Sequence, residues 1–175
     1  YSIDLVNNRK NWSLKAEGPI RSTPFLTTES VYFGSEANEF FCADLRGQVR
    51  WRFWTKRPVT SSPVVSEGIV YFASLDGLFY ALDAKSGWVV WRFRMGKGSV
   101  SSPTISENLV FGGSADGYIY CIETANAREV WRFKTDHQVS GSPAIYNNAV
   151  YCGTADGTMY CLELKNGQMR WKFGT

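Results

Sequence analysis

The sequence predicts an all-β chain: a β-propeller of four-stranded antiparallel blades, with four full blades behind an N-terminal half blade. Three observations carry this. Trp12, Trp51, Trp91, Trp131 and Trp171 recur at steps of 39, 40, 40 and 40 residues. Twelve residues after each of the first four stands a proline (Pro24, Pro63, Pro103, Pro143), in the matching stretches RSTPFL, TSSPVV, VSSPTI and GSPAI. Between these landmarks run short alternating segments rich in Val, Ile, Phe and Tyr, which favours strands, and no helical period competes. Four-stranded units of ~40 residues are the signature of propeller blades. One blade cannot bury both faces of its sheet, so neighbouring copies bury each other.

A single domain over residues 1–175 divides into a partial repeat at about 1–14 and full repeats at about 15–54, 55–94, 95–134 and 135–175. In each full repeat, strand A follows the proline. Strand B reads VYFGS, VYFAS, VFGGS or VYCGT, strand C reads FFCAD, LFYALD, YIYCIE or TMYCLE, and strand D reads VRWRF, VVWRF, EVWRF or MRWKF. Asp76-Gly77, Asp116-Gly117 and Asp156-Gly157 join B to C. Asp-Gly is a two-residue hairpin signal because both residues accept positive φ. The first unit has Glu36-Ala37-Asn38-Glu39 there instead. Gly47, Gly87 and Gly167 mark the C–D turn; Ala127 stands in that place in the third full unit, where a different turn is expected. The prolines suit the start of an inner strand whose missing N–H faces a channel. Tyr1–Leu14 aligns with strands C and D alone, and Tyr1 opens in mid-strand, so a piece of something longer is expected.

Composition narrows the function classes. Nineteen basic residues against sixteen acidic ones leave a net charge of +3, too little to point to nucleic acid. No apolar run approaches the ~18–20 residues of a membrane helix, so no membrane insertion is expected, and no secretory leader pattern occurs. Cys42, Cys121 and Cys161 share one phase of the repeat, the place held by Ala81, as small buried hydrophobes. Equivalent positions in different blades lie too far apart to bridge. Cys152 and Cys161, on neighbouring strands of one blade, are the one pair left for a disulfide. Mostly free thiols lean towards a reducing compartment such as the cytoplasm; a periplasmic or extracellular site stays open.

The phrases YALDAKSGWVVW (80–91), YCIETANAREVW (120–131) and YCLELKNGQMRW (160–171) resemble the tryptophan-docking motif of the PQQ-like, or quinoprotein-like, β-propeller repeat family. The resemblance implies that an acidic residue in strand C and a tryptophan in strand D tie adjacent blades together. Here the acids are Asp4, Asp44, Asp83, Glu123 and Glu163, in phase with Trp12, Trp51, Trp91, Trp131 and Trp171. The family includes dehydrogenases, assembly scaffolds and sensor domains, so the likeness speaks for fold before function. Its quinoprotein dehydrogenases imply an adjacent Cys-Cys disulfide, an acidic and amide set around Ca²⁺, and a catalytic Asp. This chain has no Cys-Cys, no haem-attachment motif and no acidic cluster with metal-ligand spacing. No catalytic, cofactor-binding or metal-ligating residue is therefore assigned, and no cofactor is expected.

Candidate binding residues are departures from the repeat. Trp54 stands where the other full units have Arg94, Lys134 and Gly174; Trp88 stands where they have Gln48, Arg128 and Gln168. A large exposed aromatic suits a partner contact, and extra rim packing is the plainer account. In a propeller the D–A and B–C loops emerge on one face. The D–A loops carry Lys15, Lys56, Arg57, Arg94, Lys97 and Lys134 against Glu17 and Asp136, a basic rim suited to an acidic peptide or an anionic small molecule. The B–C acids Glu36, Glu39, Asp76, Asp116 and Asp156 share that face and oppose the field. His137, the only histidine, follows Asp136 in a D–A loop; without a second His or Cys partner it reads more simply as a surface residue than as a ligand.

The reading that follows is non-enzymatic: a recognition, scaffold or sensor module binding a protein or small ligand through propeller-face loops. By resemblance its context is either a propeller appended to a bacterial signalling protein such as a Ser/Thr kinase, or a periplasmic scaffold of the outer-membrane-assembly type. The rival is a fragment of a PQQ-dependent quinoprotein dehydrogenase. Unpaired edges of an incomplete ring add self-association to the expected contacts.

Overall fold

The computed structural model describes residues 1–174; Thr175, assigned above to the last repeat, lies outside the described residues. Strands β1 (Ser2–Asp4) and β2 (Arg9–Trp12) pair as a two-stranded half sheet. Four full sheets follow. The first is built from β3 (Phe25–Leu26), β4 (Ser30–Gly34), β5 (Glu39–Asp44) and β6 (Val49–Trp54). The second holds β7 (Val64–Ser66), β8 (Ile69–Ala73), β9 (Leu78–Asp83) and β10 (Val89–Arg94). The third holds β11 (Thr104–Ser106), β12 (Leu109–Gly113), β13 (Tyr118–Glu123) and β14 (Glu129–Lys134). The fourth holds β15 (Ala144–Tyr146), β16 (Ala149–Gly153), β17 (Met159–Glu163) and β18 (Met169–Phe173). Every full sheet is an antiparallel meander in chain order, A-B-C-D, as the repeat predicts. No helix long and apolar enough to cross a membrane occurs among the described residues.

Register explains why the repeat recurs with this phase. Across the first full sheet Phe25 pairs with Tyr32, Tyr32 with Cys42, and Cys42 with Trp51, so these four share one face. That face packs on Val70, Phe72, Leu82 and Val65 of the next sheet. Phe40 stacks on Phe72 with ring centroids 4.0 Å apart across the joint. The same join recurs between the second and third sheets and between the third and fourth. The small residue at the Cys42 phase lies directly opposite the strand-D tryptophan in every full sheet: Ala81 faces Trp91, Cys121 faces Trp131 and Cys161 faces Trp171. The bulky indole thus lies across from a small side chain.

The turns differ in part from expectation. In the B–C turns only the glycines, Gly77, Gly117 and Gly157, have positive φ, and the preceding Asp does not. The backbone closes Gly77 N–H onto Ser74 and Ser74 N–H onto Leu78, a wider turn than the two-residue form. Asn38 takes the glycine's place in the first full sheet with φ +65°. Two-residue turns with both residues at positive φ occur instead between A and B, at Glu67-Gly68 and Asn147-Asn148. Ala127, expected to change its turn, adopts φ +61° and closes onto Glu123 as Gly87 closes onto Asp83. The single 39-residue step between Trp12 and Trp51 reflects a one-residue shortening at Leu45-Arg46, where Gly47 N–H closes onto Asp44, one residue nearer than Gly87 onto Asp83.

The four cysteines are free and buried. Cys152 pairs with Tyr160, and Cys161 with Tyr151, so the two thiols point to opposite faces of the fourth sheet and cannot bridge.

Candidate functional site

The strand-D tryptophans work at the sheet joints. The indole N–H of Trp12 donates to the Leu45 carbonyl at 2.8 Å, Trp51 to Ala84 at 3.1 Å, Trp91 to Thr124 at 2.7 Å and Trp131 to Leu164 at 2.9 Å. Each acceptor is the residue just after the strand-C acid of the next sheet. The acids bond within their own sheets. Asp44 Oδ1 accepts the N–H groups of Arg46 and Gln48, Asp83 accepts Ser86, and Asp4 accepts Val6 and Asn7. Glu123 pairs with Arg128, and Glu163 with Arg170 through two hydrogen bonds. The aspartates shape their turns by accepting turn N–H groups, the glutamates pair with arginines, and in each full sheet the next residue's carbonyl meets the neighbour's indole. Trp171 has no following sheet among the described residues and is 44% exposed.

A second inter-sheet bond was not foreseen from the sequence. Thr23 N–H donates to Ser62 Oγ, Ser62 N–H to Ser102 Oγ and Ser102 N–H to Ser142 Oγ, each at 2.8–2.9 Å. The signal was present in the fixed phase of these hydroxyls just before each proline.

Of the departures from the repeat, Trp54 ends β6 and is 64% exposed; Trp88, in the β9–β10 turn, is 79% exposed. They lie at opposite ends of their strands, so the structure does not bring them together. The basic D–A loops divide as well. Lys134 Nζ reaches the Asp116 carbonyl and lies 4.7 Å from the centre of the Tyr118 ring. His137 Nε2 stands 3.6 Å from Asp156 Oδ2, whose carboxyl is held below its ordinary value chiefly by Thr154. The Lys56 backbone N–H is spent on Asp76 Oδ2 at 3.0 Å.

Arg57, Arg94 and Lys97 do converge. With Asp76, Leu75 and Met95 they line an open pocket of about 410 Å³ between the second and third full sheets. The loop beneath is fixed: the Arg57 carbonyl accepts hydroxyls from Thr55 at 2.6 Å and Ser74 at 3.0 Å. Asp76 is already committed, accepting Lys56 N–H, Leu78 N–H at 3.0 Å and the Tyr80 hydroxyl at 2.8 Å. Burial first, and then Asp76, push the Tyr80 hydroxyl pKa upward, so it stays a donor.

The comparisons with known proteins follow the same outline. The family model described as outer membrane protein assembly factor BamB matches residues 43–174. The chain belongs to this BamB family. Its blades carry the PQQ-like repeat. A crystal structure of BamB from Moraxella catarrhalis superposes with a TM-score of 0.77 at 18% identity, covering 88% of this chain and 49% of that one. A quinohemoprotein alcohol dehydrogenase from Pseudomonas putida HK5 gives 0.78 at 17% identity, covering 93% of this chain and 35% of that one. The computationally designed Ika4 protein gives 0.80 at 19% identity, covering 89% and 98%. The chain therefore spans about half the length of the Moraxella protein. Likeness at these identities speaks for the fold. No curated protein matches. The dehydrogenase neighbour raises the question of a metal site, and the acidic, His and Cys side chains present do not fit one. No group of three or more His, Cys, Asp or Glu side chains able to hold a metal exists among the described residues.

Proposed function

We propose that this chain is a non-enzymatic recognition scaffold that holds a protein partner on the face formed by its D–A and B–C loops. The supporting observation is how the side chains are distributed. The repeated tryptophans are consumed in sheet joints, whereas Trp54, a departure from the repeat, and the cations Arg57, Arg94 and Lys97 are exposed and belong to one face. Membership of the BamB family favours the assembly-scaffold context over the signalling and dehydrogenase contexts. An exposed tryptophan is an economical anchor because it covers much area at little conformational cost.

The test is photo-crosslinking in the source cell, with a photoreactive phenylalanine at position 54 or at position 88. Adducts from 54 and none from 88 are expected. Adducts from 88 alone, or from neither, would overturn the choice of face.

A further inference from the structure

We infer that the pocket lined by Arg57, Arg94 and Lys97 is a subsite for the carboxylates of an acidic peptide segment, an inference that rests on the recognition reading above and names the chemistry of its ligand. The repeat supplies an internal control. At the next joint along the chain, Lys97, Lys134, His137 and Asp116 occupy the corresponding places. There Lys134 is taken up by the Asp116 carbonyl and the Tyr118 ring, and His137 by Asp156. Elsewhere on the same face Arg21 pairs with Glu36, and Lys172 with Asp136. Among the described residues, Arg57, Arg94 and Lys97 make no ion pair. The one acid in their pocket, Asp76, has its oxygens bonded to three donors of its own surroundings.

Three like charges held around one pocket repel one another, and an anion placed among them is attracted by all three. The donor set favours carboxylates over a single phosphate. Phosphate sites draw on free backbone N–H groups at a glycine-rich loop. Here two of the three lining glycines have their N–H groups spent, Gly77 on Ser74 and Gly96 on Asp116. The side-chain donors are two guanidinium forks and an ammonium spread over two loops, which suits several carboxylates presented along an extended chain. Leu75 and Met95 provide an apolar floor for the methylene stems of such side chains.

The test measures binding of fluorescein-labelled hexaglutamate to the whole chain by anisotropy, with hexaglutamine and pyrophosphate as competitors. Saturable binding is expected that weakens as salt rises from about 0.05 to about 0.5 M, and by about tenfold or more in R57A/R94A/K97A. The control K172A, which removes a cation paired with its own acid, is expected to bind as the parent does. Absence of hexaglutamate binding, equal binding by the triple variant, or displacement by pyrophosphate at far lower concentration than by unlabelled hexaglutamate would each overturn the inference. Crosslinking from position 54 that persists in the triple variant would sink this subsite while leaving the recognition reading in place.

Discussion

The indole N–H of Trp51 donates to the carbonyl of Ala84 at 3.1 Å, reaching thirty-three residues along the chain into the neighbouring sheet. The same separation recurs for Trp12, Trp91 and Trp131. One sheet on, Gly87 lies against the Trp51 ring, and Ala127 packs on the cluster that holds Trp91. The joint is thus a ring seated on a turn, with one hydrogen bond fixing its angle.

Removing that bond while keeping the ring's bulk isolates its contribution. Trp91→Phe is expected to cost about 1 kcal/mol for the lost bond, plus what the smaller ring leaves unfilled. Trp91→Ala is expected to cost about 3–5 kcal/mol. Trp171→Phe is expected to be near neutral, because its indole has no acceptor among the described residues. Urea denaturation of the three variants checks the order.

The C–D turn makes a reciprocal pair of predictions. Gly87 sits at φ +75°, and a Cβ there would come 2.7 Å from the Trp51 ring. Gly87→Ala is expected to destabilise by about 1–2 kcal/mol. Ala127 already bears the strain at φ +61°, so Ala127→Gly is expected to gain about 0.5–1 kcal/mol. Denaturation midpoints of the two variants should move in opposite directions.

Burial pushes the Cys121 and Cys152 thiols up to about 12, and raises Cys42 as well. The thiolate is the reactive form, so the folded chain should give almost no colour with a disulfide reagent at about pH 8. All four thiols should react once guanidinium unfolds it. Fast labelling in the folded state would contradict the burial of these strands.

Acid should weaken the fourth sheet. Asp136 is held below its ordinary value by Lys172 and then Tyr160, and Glu163 by Arg170. A depressed folded pKa means the contribution is present above the unfolded values, 3.8 for Asp and 4.5 for Glu, and is lost as pH falls through the lower folded values. Stability should therefore be flat in these groups from about pH 7 to 5 and fall below about pH 4. Lys172→Met should make that fall shallower, as read from melting temperature against pH.

Much of this architecture is legible in the sequence because a repeat states each joint several times. The tryptophan phase, the strand order and the half sheet follow from spacing alone. Turn geometry does not: Asn147-Asn148 and Glu67-Gly68 carry the paired positive φ that the Asp-Gly steps had suggested. A turn's form depends on what closes it, and Ser74 closes onto Leu78 beyond the dipeptide. The basic face was legible as composition, whereas its division into paired and unpaired cations was not. Lys134 and Arg94 hold equivalent places, and only the side-chain geometry separates the one engaged with Asp116 from the one left facing a pocket.

The claim that the face of the D–A and B–C loops is the recognition face is put to the proof by amide chemical-shift mapping of the ¹⁵N-labelled chain titrated with hexaglutamate. Shifts concentrated in the loops at 55–58, 74–78 and 94–98 are expected. Shifts concentrated instead in the C–D turns around Trp88, or spread evenly over every lysine and arginine loop, would contradict it.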